Sequence, residues 1–340
     1  MYTINLGDSG LKISPVIVGC MSYGEKVWLD WVIEDEKEVF KILKKCYDVG
    51  LRTFDTADIY SNGVSEVLLG KFIKHYNIPR DKIVILTKCF FPITPGKSFG
   101  FVEEAGYEFD NSRGLSRKHI LDAVQGSVER LGTYIDVLQI HRLDNSTPKI
   151  EIMRALNDVV VLGSARYLGA SKMKTFEFSE LQYIADKNGW FKFISMQNYY
   201  NLLHREEERE MIPFCNSSIF GRVGVIPFSP IARGVLAKPL GDESATSHRS
   251  KTDIFGSFNL DVLSDKDQEI VRRTEEIAKR RGFSMANVAQ AWVMAKGCAP
   301  IVGLNSEKRV EDTLRSLELK LTEEELKYLE EPYPSEPSIA

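Results

Sequence analysis

Short apolar runs, spaced by stretches with helical periodicity, constrain this 340-residue chain more than any other feature. They fall at residues 16–19, 52–55, 83–87, 136–140, 166–170, 193–197, 223–228 and 300–302. Strands buried on both faces of a parallel sheet read as near-continuous apolar runs, as these do. The stretches between them repeat apolar residues every three or four positions. From about Glu34, for example, Val39, Ile42, Leu43, Cys46 and Val49 mark one face, and Gly50 stops it. Eight strands alternating with helices predict an α/β fold, a (β/α)8 TIM barrel. Residues 3–14, with Gly7-Asp8-Ser9-Gly10 at the centre, predict an N-terminal β-hairpin closing the barrel's bottom. Thr322 with Glu325 opens a final helix as a capping box. No internal repeat or linker divides residues 1–340, so one domain is expected. Two long loops, at about residues 90–113 and 233–265, follow strands and therefore belong on the active-site face.

Three of the runs finish in ionisable groups. Residues 52–55 end at Asp55, with Tyr60 five positions later; residues 83–87 lead into Lys88, and 136–140 into His141. In a parallel barrel the carboxyl ends of all strands open on one face, where active sites lie. A free phenol titrates near pH ~10 and is a poor proton donor at neutrality. An ammonium beside it stabilises the phenolate, and a carboxylate paired with that ammonium holds it in place. The four groups thus read as a proton-transfer site. Tyr60 would protonate a carbonyl oxygen as hydride arrives, Lys88 would tune Tyr60, Asp55 would anchor Lys88, and His141 would orient the carbonyl. Singly, each has a plainer reading as an ion pair, a packing ring or a structural histidine. Their order on successive strand ends outweighs it.

The chain resembles the aldo-keto reductases, and among them the fungal aryl-alcohol dehydrogenases. The resemblance runs from about Leu6 through Leu329. Besides the four residues above it rests on Gly19-Cys20-Met21-Ser22-Tyr23-Gly24, Gly169-Ala170-Ser171, Gln197-Asn198, Ser229-Pro230 and Pro300-Ile301-Val302-Gly303, in that order. It implies that Asp55, Tyr60, Lys88 and His141 are the catalytic tetrad. It also implies an extended nicotinamide dinucleotide, NADPH ahead of NADH, although the sequence has no G-x-G-x-x-G after a strand. Cys20 and Met21 would lie beside that cofactor, Ser171 and Gln197 would bind its carboxamide, and Phe228 would stack on the nicotinamide ring. Ser229, Ile231 and Arg233 would contact the pyrophosphate. Gly303 and Asn305 would face the adenosine, with Lys308 and Arg309 available to a 2′-phosphate or simply lying on a solvated helix face. Three positions depart from the common pattern. Lys172 stands where many relatives carry Asn or Ser, Gly303-Leu304-Asn305 where many carry Arg or Lys, and Thr313 where many carry Asn. The choice between NADPH and NADH is left open by the last two.

Aromatic residues predict the substrate. Trp28 and Trp31, together with Phe90, Phe91, Phe99, Phe101, Tyr107 and Phe109 of the first long loop, would build an apolar wall for an aromatic or hydrophobic carbonyl compound. The plain alternative is that these rings only pack the loop down. Forty-four basic against 48 acidic residues, with no long run of either sign, argue against nucleic acid or a membrane surface as the main partner. Five scattered cysteines without a C-x-x-C pair read as free thiols in a reducing compartment, so a cytosolic location is expected. No close His/Cys/Asp cluster has metal-ligand spacing, and no metal is expected. The unusually apolar residues 159–165 suggest an oligomer contact, without fixing the oligomeric state. Two other classes compete. One is a nicotinamide-binding regulatory subunit on the same scaffold, as in potassium-channel β subunits, which carry Asn where this chain has His141. The other is an unrelated barrel such as a phosphosugar isomerase, for which the loop from Ser229 to Gly234 is a poor fit.

Overall fold

The computed structural model describes residues 2–99, 106–242 and 263–333. Phe101 and residues 243–262 of the second long loop lie outside them. The amino-terminal hairpin pairs β1 (Ile4–Asn5) antiparallel with β2 (Lys12–Ile13). Eight parallel strands follow: β3 (Ile17–Gly19), β4 (Thr53–Asp55), β5 (Val84–Cys89), β6 (Ile135–Ile140), β7 (Ala165–Ser171), β8 (Phe193–Gln197), β9 (Gly224–Val225) and β10 (Ile301–Gly303). Each pairs with its neighbour in sequence, and β10 returns to β3. The other side of β10 closes the cylinder. Ile301 N–H donates to Pro227 O at 2.8 Å and Ala299 N–H to Val225 O at 3.0 Å. The expected barrel is therefore present. The expected strand over residues 223–228 is regular only at Gly224–Val225. Pro227 has no N–H to give the ladder, and Phe228 rejoins through isolated parallel bridges to Tyr199 and Ile301.

Helices cover the outside, and their apolar stripes explain why. In α1 (Glu36–Asp48) Val39, Phe40, Ile42, Leu43 and Cys46 are buried, and the Asp35 carboxylate caps the start by accepting from Lys37 N–H at 2.9 Å. Next come α2 (Val64–His75), α3 (Arg117–Leu131), α4 (Lys149–Val161), α5 (Thr175–Asn188) and the short α6 (Met211–Ser217). The set continues with α7 (Asp265–Arg281), α8 (Met285–Ala295), α9 (Glu307–Ser316) and α10 (Glu323–Glu330), the last opened by the Thr322–Glu325 capping box. Val161 and Leu162 are exposed at the end of α4, which is where the apolar sequence was expected to surface. No helix among the described residues is long and apolar enough to cross a membrane.

Strand alternation builds the floor of the site. Ile17, Leu86, Val137, Ile226 and Ile301 meet inside the barrel, and Leu6 and Ile13 of the hairpin join them. Two residues further along a strand the side chain faces the same way. Two past these five come Gly19, Lys88, Gln139, Phe228 and Gly303. The barrel interior thus loses its aliphatic filling within one layer toward the strands' carboxyl ends, and Lys88 and Gln139 bring polar groups into it.

Gly70 of α2 sits against the end of α3. A Cβ there would lie 2.6 Å from Leu131 O and 2.7 Å from Arg130 O, both backbone atoms that cannot step aside cheaply. Gly70→Ala should therefore lower the urea unfolding free energy by about 1–3 kcal/mol despite alanine's better helix propensity. An unchanged or higher midpoint would show that α2 and α3 can separate freely.

Candidate active site

Four strands deliver their polar ends to one point. Asp55 ends β4, Lys88 lies in β5, Gln139 in β6 and Gln197 ends β8, and the sheet register sets Lys88 beside Gln139. All four are buried. Lys88 Nζ donates to Asp55 Oδ1 at 2.5 Å, to Thr56 O at 2.8 Å and to the Tyr60 hydroxyl at 3.2 Å. Asp55 Oδ2 accepts from Gln139 Nε2 and from Gln197 Nε2, each at 2.9 Å, and Gln197 Nε2 also donates to Gln139 Oε1 at 2.9 Å. The ammonium's three hydrogens and both carboxylate oxygens are thus engaged, as a buried ion pair requires.

Tyr60 is held by strain and packing. Ser61, Asn62 and Gly63 just after it all have positive φ, at 48°, 53° and 95°. That sharp turn is tied down by Asn62, whose Nδ2 donates to Lys97 O and whose Oδ1 accepts from Thr94 N–H. The Trp28 ring lies 6.1 Å from the Tyr60 ring and 5.5 Å from Phe99, while His141 meets Tyr60 edge-on at 6.0 Å.

Enclosure acts differently on each titrating group. Burial pushes the Tyr60 phenol above its ordinary range; Lys88 pulls it down, as the sequence suggested, but does not win. Burial opposes the Lys88 ammonium, yet the charges of Asp55 and Tyr60 more than offset this and hold it above its usual value. His141 is pushed well below its ordinary range, first by burial and then by the positive Lys88, Lys172 and Arg142. Its imidazole is neutral near pH 7, and Nδ1 has no hydrogen-bond partner among the described residues.

A cavity of about 750 Å³ opens over this point. Asp55, Tyr60 and His141 line one region of it, with Trp28, Trp31, Phe91 and Phe99 as an aromatic wall. Met21, Ser171, Gln197, Phe228, Ser229, Ile231 and Arg233 continue the lining, and Gly303, Asn305 and Arg309 line it at the start of α9. Lys88 lies beneath, reaching the cavity through Tyr60. Several expected positions, Phe109 among them, fall elsewhere. Cys20 is buried behind the wall, its thiol toward Val18 O and its carbonyl accepting from Ser65 Oγ. Phe90 turns toward the hydrophobic core and supports Phe91 edge-on at 5.0 Å. Lys308 is exposed and off the lining. Tyr107, 90 % exposed, is no part of the aromatic wall.

Sequence reading missed Gln139, Arg142, Ser284, Gln290 and Asp312. Gln139 carried a signal, being a polar residue inside an apolar strand run. So did Gln290, buried in the mostly apolar α8 with its Oε1 unpartnered among the described residues. Both are chain positions where a buried amide demands a reason.

The donor set fits an extended dinucleotide. Gln197 has spent both amide hydrogens on Asp55 and Gln139, leaving Oε1 to accept from a carboxamide. Ser229, Ala232, Arg233 and Gly234, all at positive φ, fold a tight concave loop beside the cavity of the kind that takes anions. Ser284, Gln290, Asp312 and Arg309 gather at the α8–α9 end. Among the described residues no group of His, Cys, Asp and Glu could hold a metal ion.

A parallel eight-stranded barrel with Asp55, Lys88, Tyr60 and a neutral His141 gathered at its carboxyl end has the architecture of an oxidoreductase. Residues 15–333 match the model of the aldo/keto reductase family, and the chain belongs to that family. It is 54% identical over 335 residues to "Putative aryl-alcohol dehydrogenase AAD16" of Saccharomyces cerevisiae, covering 97% of this chain and 96% of that one. It is 53% identical over 339 residues to versiconal hemiacetal acetate reductase of Aspergillus parasiticus, covering 98% and 97%. Aldo-keto reductase AMT2 of Alternaria alternata is 45% identical over 343 residues, covering 98% and 91%. Members of this family generally use NADH or NADPH.

Asp58, between Asp55 and Tyr60, is fully buried with neither carboxylate oxygen hydrogen-bonded among the described residues. Burial and then Glu66 push its carboxyl well above the usual range, against the pull of Arg130 and Lys88. A carboxyl raised on folding binds more protons native than unfolded, so it costs stability as pH rises above its unfolded value near ~3.9, by up to about 1.4 kcal/mol per unit. Asp58→Asn removes that cost. Its unfolding free energy relative to wild type should grow between pH 4 and pH 7; parallel curves would mean Asp58 ionises freely in the native state.

Proposed function

We propose that this protein reduces aldehydes or ketones to alcohols with NADPH, reversibly, on the catalytic residues Asp55, Tyr60, Lys88 and His141. The observation that carries the reading is the Lys88 ammonium, buried and shared between Asp55 and the Tyr60 hydroxyl at the cavity floor. Bound along the cavity, the nicotinamide supplies hydride. Tyr60, kept protonated at neutral pH by its burial, gives its proton to the carbonyl oxygen. The charge left on the phenolate is stabilised by Lys88, which Asp55 prevents from moving away. His141, neutral, orients the same oxygen through a hydrogen bond and adds no competing charge. The aromatic wall favours aromatic or other hydrophobic carbonyl compounds, and the aryl-alcohol in the name of one relative above agrees with that. Five buried, unpaired cysteines support a reducing, cytosolic setting.

The assay is NADPH oxidation by the purified protein against a panel of aromatic and aliphatic aldehydes. Tyr60→Phe should lower kcat at least about 10²-fold while NADPH binding, followed by fluorescence, changes little. Full activity in that variant would remove Tyr60 as the proton donor. Tight NADPH binding without turnover in wild type would favour a regulatory binding role.

Cofactor choice is tested at Arg309, the cation on the cavity lining at the α8–α9 end. Arg309→Leu should raise KM for NADPH about tenfold and leave KM for NADH nearly unchanged, since only the former carries a 2′-phosphate to pair with a guanidinium. Equal effects on both cofactors would dissociate Arg309 from that phosphate.

A further inference from the structure

Two further cations line the cavity beside the catalytic histidine. Arg142 follows His141 at the end of β6, and Lys172 follows Ser171 at the end of β7. Neither makes an ion pair with a carboxylate among the described residues. Their recorded side-chain contacts are with rings instead: the Arg142 guanidinium lies 5.3 Å from the Phe91 centroid and the Lys172 ammonium 5.0 Å from that of Phe228. Phe91 is itself 5.2 Å from the His141 ring, so Arg142, Phe91 and His141 form one series leading to the proton-transfer point.

Arg142 and Lys172 both reach solvent at the cavity mouth. Lys172 keeps part of its surface exposed at the cavity mouth, but enclosure by the barrel and the charges of Arg142 and Arg233 hold its ammonium down to about 8. The same two cations, Arg142 and Lys172, help push His141 down. Lys172 is also fixed in a strained backbone, with φ 46° and its N–H held by Asn198 Oδ1 at 2.9 Å. Like charges gathered around a neutral imidazole repel one another unless a ligand brings the opposite sign.

We propose that Arg142 and Lys172 form an anion subsite at the reactive end of the cavity, selecting carbonyl substrates that carry a carboxylate. The inference rests on the reductase reading above and narrows its substrate class. A carboxylate across an aromatic ring from the aldehyde would let the wall hold the ring, Tyr60 and His141 hold the carbonyl oxygen, and the two cations hold the far end. Phosphates of the cofactor are the competing anions. Arg142 lies over Phe91 of the aromatic wall, on the substrate's side of the cavity, whereas Lys172 lies over Phe228 and feels Arg233, between that side and the cofactor's path; the Arg142 contact favours the substrate.

The test compares 4-carboxybenzaldehyde with its methyl ester, which keeps ring and aldehyde but removes the charge. Wild type should prefer the acid in kcat/KM. In Arg142→Gln and in Lys172→Met that preference should collapse, the acid losing roughly 10- to 100-fold more than the ester. Arg142→Lys should retain part of it. No wild-type preference, or equal losses on both aldehydes, would overturn the subsite. A fall in NADPH affinity with the acid preference intact would reassign the cations to the cofactor and overturn it too. If neither aldehyde turns over, the reductase reading fails, and binding of benzoate against methyl benzoate to the NADPH-loaded protein then decides. Benzoate selectivity lost in both variants supports the subsite; absence of selectivity in wild type removes it.

Discussion

One buried carboxylate organises the carboxyl end of this barrel. Taking Asp55 and Lys88 out of water costs several kcal/mol for each ion, and the cost is recovered only if their hydrogen-bonding capacity is filled by protein. Gln139 and Gln197 fill the far side of the carboxylate, and Thr56 O takes another ammonium hydrogen. What remains of Lys88 points at Tyr60. The phenol, placed by its own strained turn and by Trp28, thus meets an ammonium that Asp55 has fixed.

The same enclosure then sorts charge states. A low-dielectric pocket disfavours ionisation of an isolated group and leaves a paired one charged. Tyr60 and His141 are kept neutral, whereas Lys88 stays cationic against its own burial because Asp55 accompanies it. A neutral donor, a neutral orienting group and a fixed positive charge beneath them suit the making of an alcohol from a carbonyl. Sequence reasoning assigned Lys88 the role of lowering the Tyr60 pKa. The pull is present, but burial outweighs it.

Much of the fold was legible because it depends on period and punctuation. Apolar runs gave the strands, three- and four-residue spacing gave the helices, and Thr322 with Glu325 marked the last helix start. The run ending at Phe228 was read as one strand, and Pro227 interrupts it for want of a donor. The four catalytic candidates were legible because three sit at or beside strand ends, where parallel topology forces convergence, and Tyr60 follows one of those ends by five residues. Less could be read of residues whose role depends on which way a side chain turns. Phe90 and Phe91 are adjacent and alike in the sequence, yet one faces the core and the other the cavity. Cys20 and Met21 divide in the same way.

By itself the sequence determined the alternation of strand and helix, and with it a barrel whose polar strand ends must share a face. That follows from local periodicity and from the one-sided geometry of parallel strands. Tertiary structure alone decided which groups touch. Gln139 and Gln197, 58 residues apart, meet on one oxygen of Asp55. Arg142 and Lys172, on neighbouring strand ends, stand together without a carboxylate partner among the described residues. Such partnerships depend on distances across the barrel, between residues far apart in the chain, and no local pattern in a sequence encodes them.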